Sequence, residues 1–351
     1  MLRARLYDVA VVLLTISFAA CGHLQTSPLA IAQSQSLNSA FFQVVDALDG
    51  GFAYAYAPSI ILKNGTYHVF FCSEGGGHYP SWDAIRYTTS TDGQTWSKPQ
   101  VMLQATAANG QDMAACDPSL VFYQGYYYLY YSSAVTTASK TYQTVIQVAR
   151  SVSIAGPYLT YTRRATWEKT PTDPKVIIYP LEMHSTQPSG YGAGQQSVIV
   201  QNDRLLMWYT DDSVFVTGQP QMKTYMLESA DPVSWSPDVT HATNLVNQAS
   251  IDVKFDSSQS QFVMVRVENE FSPTSYLARA YSSDGMNWAA PQAVYPSGQF
   301  PQYGHDAGIA GDETGNLTSP QTMVGFGVPY GLANADNWGH WDLYGAYIDG
   351  P

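Results

Sequence analysis

The chain has 351 residues, a net charge of −12 and only 16 Lys and Arg, so it lacks the basic footprint of a nucleic-acid binder. Charged residues make up 13% and aromatic residues another 13%, with 26 Tyr. That balance suits sheets packed face to face in an extracytoplasmic protein that meets neutral ligands, and one repeating domain accounts for nearly all of the length.

Residues 1–21 read as a targeting segment. Arg3 and Arg5 precede a mostly apolar run, Val9 to Phe18, too short for a membrane span. Ala19-Ala20-Cys21 places small residues before a Cys and resembles a bacterial lipoprotein cleavage box, with Cys21 lipidated as the mature N-terminus. The expectation is an exported protein that is periplasmic, anchored to the outer membrane or secreted, and that meets a membrane only through this lipid. Residues 22–39 are rich in Gln, Ser, Ala and Pro and read as a flexible tether.

From residue 40 onward one phrase recurs about every 55 to 80 residues. Ala57-Pro58-Ser59 opens a strand that turns at Asn64-Gly65, and Asp117-Pro118-Ser119 opens one that turns at Gln124-Gly125. Gln195-Gln196-Ser197 opens a third, turning at Asn202-Asp203. Weaker copies begin near Ser250, with a turn at Asp256-Ser257, and at Asp306, with a turn near Thr314-Gly315. Asn-Gly and similar pairs tolerate the positive φ of two-residue hairpins, and the flanking runs are rich in Val, Ile, Tyr and Phe. A third strand follows in most copies. At Ser90, Ser229 and Ser282 it leads into a Ser-x-Asp turn ending in Trp96, Trp235 and Trp288, where Asp caps the turn and Trp packs between sheets. Hairpin units repeated radially predict an all-β, five-bladed β-propeller over residues 40–351, with Phe41 to Leu48 available to close blade 5. Cys72 ends the second strand of blade 1 and Cys116 precedes the first strand of blade 2. They therefore share a rim, either as a disulfide or as two buried thiols.

That rim, where inner strands begin, also collects the acids. Asp117 and Asp306 start inner strands; Glu74, Asp211, Asp212, Glu268 and Glu270 follow second strands; Asp83 and Arg86 open a third strand. Tyr56, His78, Trp82, Trp208, His305, Trp338, His340 and Trp341 lie in or near the same loops. Carboxyl pairs handle protonation and water activation at a glycosidic bond, and aromatic faces stack on sugar rings.

Asp117-Pro118-Ser119-Leu120-Val121-Phe122, followed by Gly125 to Ser132, resembles the second blade of glycoside hydrolase family 43 and its five-bladed relatives. Ser-x-Asp-Gly-x-x-Trp, at Ser90 and Ser282, is similar to turns common in those propellers. The resemblance implies an Asp base on the first inner strand, an Asp on the second that tunes the acid and orients substrate, and a Glu acid on the third. Here those places hold Ala57, Asp117, and Gln195 or Gln196, so only the second is kept. Relatives sometimes hold calcium on the axis; no motif here demands it, and no metal or other cofactor is assigned.

The leading expectation is a monomeric, exported glycosidase acting on an arabinan-, xylan- or fructan-like saccharide. Its catalytic candidates are Asp117, Asp306 and Glu74, with substrate contacts from Asp83, Arg86, Trp82, Asp212, Glu268, Gln195, His305 and Trp338. A non-catalytic carbohydrate-binding lipoprotein is the alternative, favoured by Ala57 and Gln195. A protein-interaction propeller of the cell envelope explains the central acids poorly.

Overall fold

The computed structural model describes residues 40–75, 83–107, 110–136, 142–182, 191–216, 219–246, 250–318, 321–330 and 339–349. Residues 1–39, with Cys21 and the tether, and also His78, Trp82 and Trp338, lie outside the described residues. Among the described residues five antiparallel sheets of four or five strands form the blades, and a two-stranded ribbon, Phe215–Val216 with Gln219–Pro220, lies within the third. Blade 1 comprises Ala55–Lys63, Thr66–Glu74, Asp83–Ser90 and Gln100–Gln104. Blade 2 comprises Cys116–Tyr123, Tyr126–Thr136, Tyr142–Ser151, Leu159–Tyr161 and Trp167–Glu168. Blade 3 comprises Ala193–Gln201, Arg204–Asp211, Lys223–Ser229 and Ala242–Val246. Blade 4 comprises Asp252–Asp256, Gln261–Glu268, Tyr276–Ser282 and Gln292–Tyr295. Blade 5 comprises His305–Ile309, Gln321–Pro329 and Trp341–Asp349, and Phe41–Val45 from the other end of the domain supplies its outer strand, Phe41 opposite Ala346. The ring is thus closed by pairing Phe41–Val45 with Trp341–Asp349, which joins the first-described strand to the last blade. Among the described residues no helix is long and apolar enough to cross a membrane.

The hairpins form where the turn residues accept positive φ: Asn64 and Gly65, Gln124 and Gly125, Asn202 and Asp203 all do so at both central positions. The blades cohere because each sheet is covered on both faces. Five hydrophobic clusters each span two neighbouring blades, one at every interface around the ring. Second strands are accordingly buried almost end to end, as in Tyr126–Thr136, rather than alternating apolar and polar. Trp208, read from the sequence as a rim residue, sits fully buried in the cluster between blades 3 and 4, against Trp288 at 6.4 Å. The Ser-x-Asp turns are structural: Asp92 accepts from the Gln94 and Thr95 amides, and Asp284 from those of Met286 and Asn287.

Toward the axis, the Ser of the repeated phrase joins the blades. Ser59 Oγ accepts from the Leu120 amide at 3.1 Å, Ser119 Oγ from Val198 at 2.9 Å, and Ser197 Oγ from Val253 at 2.9 Å. In blade 4 Asp252 takes that place and accepts from the Ile309 amide at 2.8 Å. In blade 5 the place is Gly308, where a Cβ would meet the Pro58 carbonyl oxygen at 1.9 Å. The segment after Ile309, expected to be a tight hairpin turn, instead crosses the far end of the axis. The carbonyls of Gly311, Glu313, Thr314 and Gly315 accept in turn from Leu62, Phe122, Val200 and Phe255, one on each of blades 1 to 4, at 2.6 to 2.9 Å. Asp312 braces this plug through the Thr314 and Asn316 amides. Among the described residues the axis is therefore plugged at this end, and its cavity lies where the inner strands begin.

Cys72 and Cys116 are joined as a disulfide between blades 1 and 2. The link closes a long loop, with a sequence separation of 44, and such links contribute about 2–4 kcal/mol by restricting the unfolded chain. Replacing both cysteines with Ser is expected to lower the unfolding free energy by about that amount. Urea titrations of the double variant and of the parent, with and without reductant, measure it.

Candidate functional site

The first residue of every repeat is in the left-handed region: Ala57 (φ 50°), Asp117 (45°), Gln195 (51°), Ser250 (54°) and Asp306 (41°). None is Gly, so each position carries local strain. In blades 1, 2, 3 and 5 the pairing register breaks at the same point. This bulge turns the side chain away from the sheet and toward the axis. The five residues line a small cavity on the axis, with Asp252 also in its wall. Two of the five equivalent positions carry acids.

Asp117 is hydrogen-bonded through Oδ2 to the Tyr191 hydroxyl, which donates at 2.6 Å. Burial, and next the charge of Asp306, push the Asp117 carboxyl up to about 7, against the pull of Tyr191 and Ser132. Tyr191 is itself fixed: Asp212 accepts from its amide and from that of Gly192, each at 2.7 Å. Its ring needs the bare backbone of Gly194, where a Cβ would lie 2.8 Å from the hydroxyl. Asp212, expected to touch substrate, instead holds the residue that tunes Asp117. Tyr191→Phe removes a bond that favours the charged carboxylate, so the Asp117 pKa is expected to rise. A carboxyl ¹³C titration checks this; an unchanged midpoint would refute the role given to the hydroxyl.

Asp306 sits in a different setting. Nε2 of His305 lies 2.9 Å from its Oδ2, a charge contact without hydrogen-bond alignment, and both carboxylate oxygens are buried. Glu270 Oε1 accepts from the Asp306 amide at 3.0 Å and lies 3.4 Å from His305 Nδ1. Burial opposes a charge on His305, but Asp306 and Glu270 outweigh it and push the imidazole up to about 10. Tyr56, Phe271 and Trp341 surround the imidazole, with ring centroids 5.2, 4.4 and 5.2 Å away. Ligand atoms of Glu270, His305 and Asp306 lie within 4.8 Å of one another. Two carboxylates suit a hard cation such as calcium. The protonated imidazole is an ion-pair partner that must lose its proton before it can serve as a ligand.

The remaining candidates separate. Gln195 lines the cavity, with Oε1 accepting from the Ser250 amide. Asp83 is raised to about 6 by burial, against a hydrogen bond from Tyr54, and its carboxylate lies within 4.8 Å of both disulfide sulfurs. Glu74 accepts from the Ala53 amide at 3.0 Å. Arg86 stacks on Phe52 at 4.4 Å and donates to Ser73, so its guanidinium braces the blade. Glu268 does not accompany Glu270: it pairs with the buried Arg266 at 2.9 Å. Strict alternation after Val267 predicts a common direction for the two acids, but Asn269 adopts φ 51° and breaks it. Tyr191 was missed from the sequence; its nearest signal is the run Tyr191-Gly192-Ala193-Gly194, an aromatic among glycines just before an inner strand.

The five-bladed β-propeller fold of this chain is shared with solved glycoside hydrolases of families 117, 62 and 43. The chain is similar to a family 117 glycoside hydrolase of the marine bacterium Zobellia galactanivorans (TM-score 0.59, 14% identity, 88% of this chain and 89% of that one). It is similar to the α-L-arabinofuranosidase of Podospora anserina solved with cellotriose (TM-score 0.59, 16% identity, 88% and 95%). It is also similar to an endo-arabinase of Bacteroides thetaiotaomicron (TM-score 0.52, 14% identity, 89% and 97%). No protein-family model and no curated protein matches the sequence.

Proposed function

We propose that this protein is an exported glycoside hydrolase acting on an arabinan-, xylan- or fructan-like saccharide. The observation that carries the reading is the pair Asp117 and Asp306 in one axial cavity, one carboxyl holding its proton up to about 7 and the other facing a protonated imidazole. A carboxyl group that keeps its proton near neutrality beside a second acid is what protonation of a glycosidic oxygen requires. Asp117 donates its proton to the leaving glycosidic oxygen as the glycosidic bond breaks, while Asp306, held by His305 and Glu270, takes a proton from the water that adds to the anomeric carbon. Asp306 thereby supplies from blade 5 a carboxylate that Ala57 lacks in blade 1 and Gln195 in blade 3. Structural neighbours solved with cellotriose and xylotriose favour a saccharide ligand.

The test is release of sugar from arabino-, xylo- and fructo-oligosaccharides by the parent and by Asp117→Asn. The alternative is a non-catalytic sugar-binding propeller, favoured by the uncharged Ala57 and Gln195 on the axis. It gains if the parent binds one of these saccharides, cleaves none, and Asp117→Asn merely weakens binding. Lipidation at Cys21 belongs to the same proposal: Cys21→Ala should release the protein from membranes, and unchanged membrane association would overturn that part.

A further inference from the structure

Phe271 combines strain with exposure. Its φ is 56°, in the region that bulky residues avoid, and its side chain is 38% exposed. A partly solvated ring gains less from burial than a core ring, so core packing alone gives a weak reason to keep an aromatic on a strained backbone. The turn that carries it is well held. The Tyr303 amide donates to the Ser272 carbonyl at 2.8 Å, the Ser275 hydroxyl to the Pro301 carbonyl at 2.8 Å, and the Gly304 amide to Ser275 Oγ at 3.1 Å. The ring lies against His305, centroids 4.4 Å apart, with Trp341 at 6.1 Å. Its chain neighbour Glu270 bonds the Asp306 amide. Phe271 thus follows the second strand of blade 4 at the end of the axis where the inner strands begin, on the Asp306 side of the cavity.

We propose that Phe271 is a sugar-stacking platform, its solvent-facing side taking the apolar face of the ring that adjoins the one in the axial cavity. The proposal rests on the saccharide reading above. A rigid aromatic face beside a small polar cavity adds apolar contact at little entropic cost and leaves the sugar hydroxyls to water and side chains. Such a platform distinguishes an oligosaccharide, which reaches it, from a monosaccharide, which fills only the cavity.

The experiment titrates arabinotriose, xylotriose and a fructotriose, and the matching monosaccharides, into the parent, Phe271→Ala and Phe271→Tyr, and records thermal unfolding of each. For a trisaccharide that the parent binds, Phe271→Ala is expected to weaken binding about 10-fold, while Phe271→Tyr stays within about 2-fold. Monosaccharide affinity should not change, and the melting temperature of Phe271→Ala should not fall. If the trisaccharide is cleaved, the loss should appear in KM rather than kcat. Unchanged trisaccharide affinity in Phe271→Ala overturns the platform alone, as does an equal loss for monosaccharide or a fall in melting temperature without loss of affinity. If the parent binds no saccharide, the functional reading fails and the platform with it.

Discussion

Asp117→Asn should lower turnover by about 100-fold or more, the usual cost of removing a proton donor. In the parent, the rate should fall as pH rises through about 7, where Asp117 loses its proton; in the variant that alkaline limb should vanish. The parent's stability should also fall with rising pH. An acid whose folded pKa is raised contributes stability that is fully present below its unfolded pKa, about 4, and lost as pH rises through the folded value. From this group alone, the parent therefore loses stability across about pH 4 to 7. Asn carries no charge to bury beside Asp306, so Asp117→Asn should match or exceed the parent in melting temperature at pH 7.5 while being inactive. Melting curves and initial rates across pH test both halves. A variant that unfolds at lower temperature and keeps its specific activity would show that Asp117 serves the fold.

Glu268→Ala should do the reverse. Arg266 is buried to 2% exposure, its Nη1 already lacks a hydrogen-bond partner among the described residues, and Glu268 is the carboxylate that pairs with it. Removing one partner of a buried ion pair leaves an uncompensated charge and typically costs about 3–5 kcal/mol. Denaturant titration should show that loss, with kcat and KM of the folded fraction unchanged. A change in KM at unaltered stability would restore Glu268 to the substrate contacts. Replacing both residues together with apolar ones should recover much of the lost stability, since the charge and its partner then leave together.

The repeat was legible because its signals are local. Turn pairs with positive φ, strand-forming runs and the Ser-x-Asp turns each act within about ten residues, so five blades, their order and the closing strand near Phe41 follow from the sequence. The rim shared by Cys72 and Cys116, and the position of Asp117 and Asp306 at inner-strand starts, follow from antiparallel topology alone. What tertiary structure decided were the directions of side chains and the identity of their partners. A left-handed residue at the head of each repeat turns five side chains to the axis, and another at Asn269 sends Glu268 to Arg266 and Glu270 to His305. Tyr191 reaches Asp117 from a position 74 residues away in sequence. The segment after Ile309 becomes a plug because four other blades offer it amides. Sequence pattern by itself determined the number of blades and the face that carries the acids. Which acids share a cavity, which are spent on neighbours and which hold a proton depends on burial and on charges brought together from distant parts of the chain, and only the closed ring creates those.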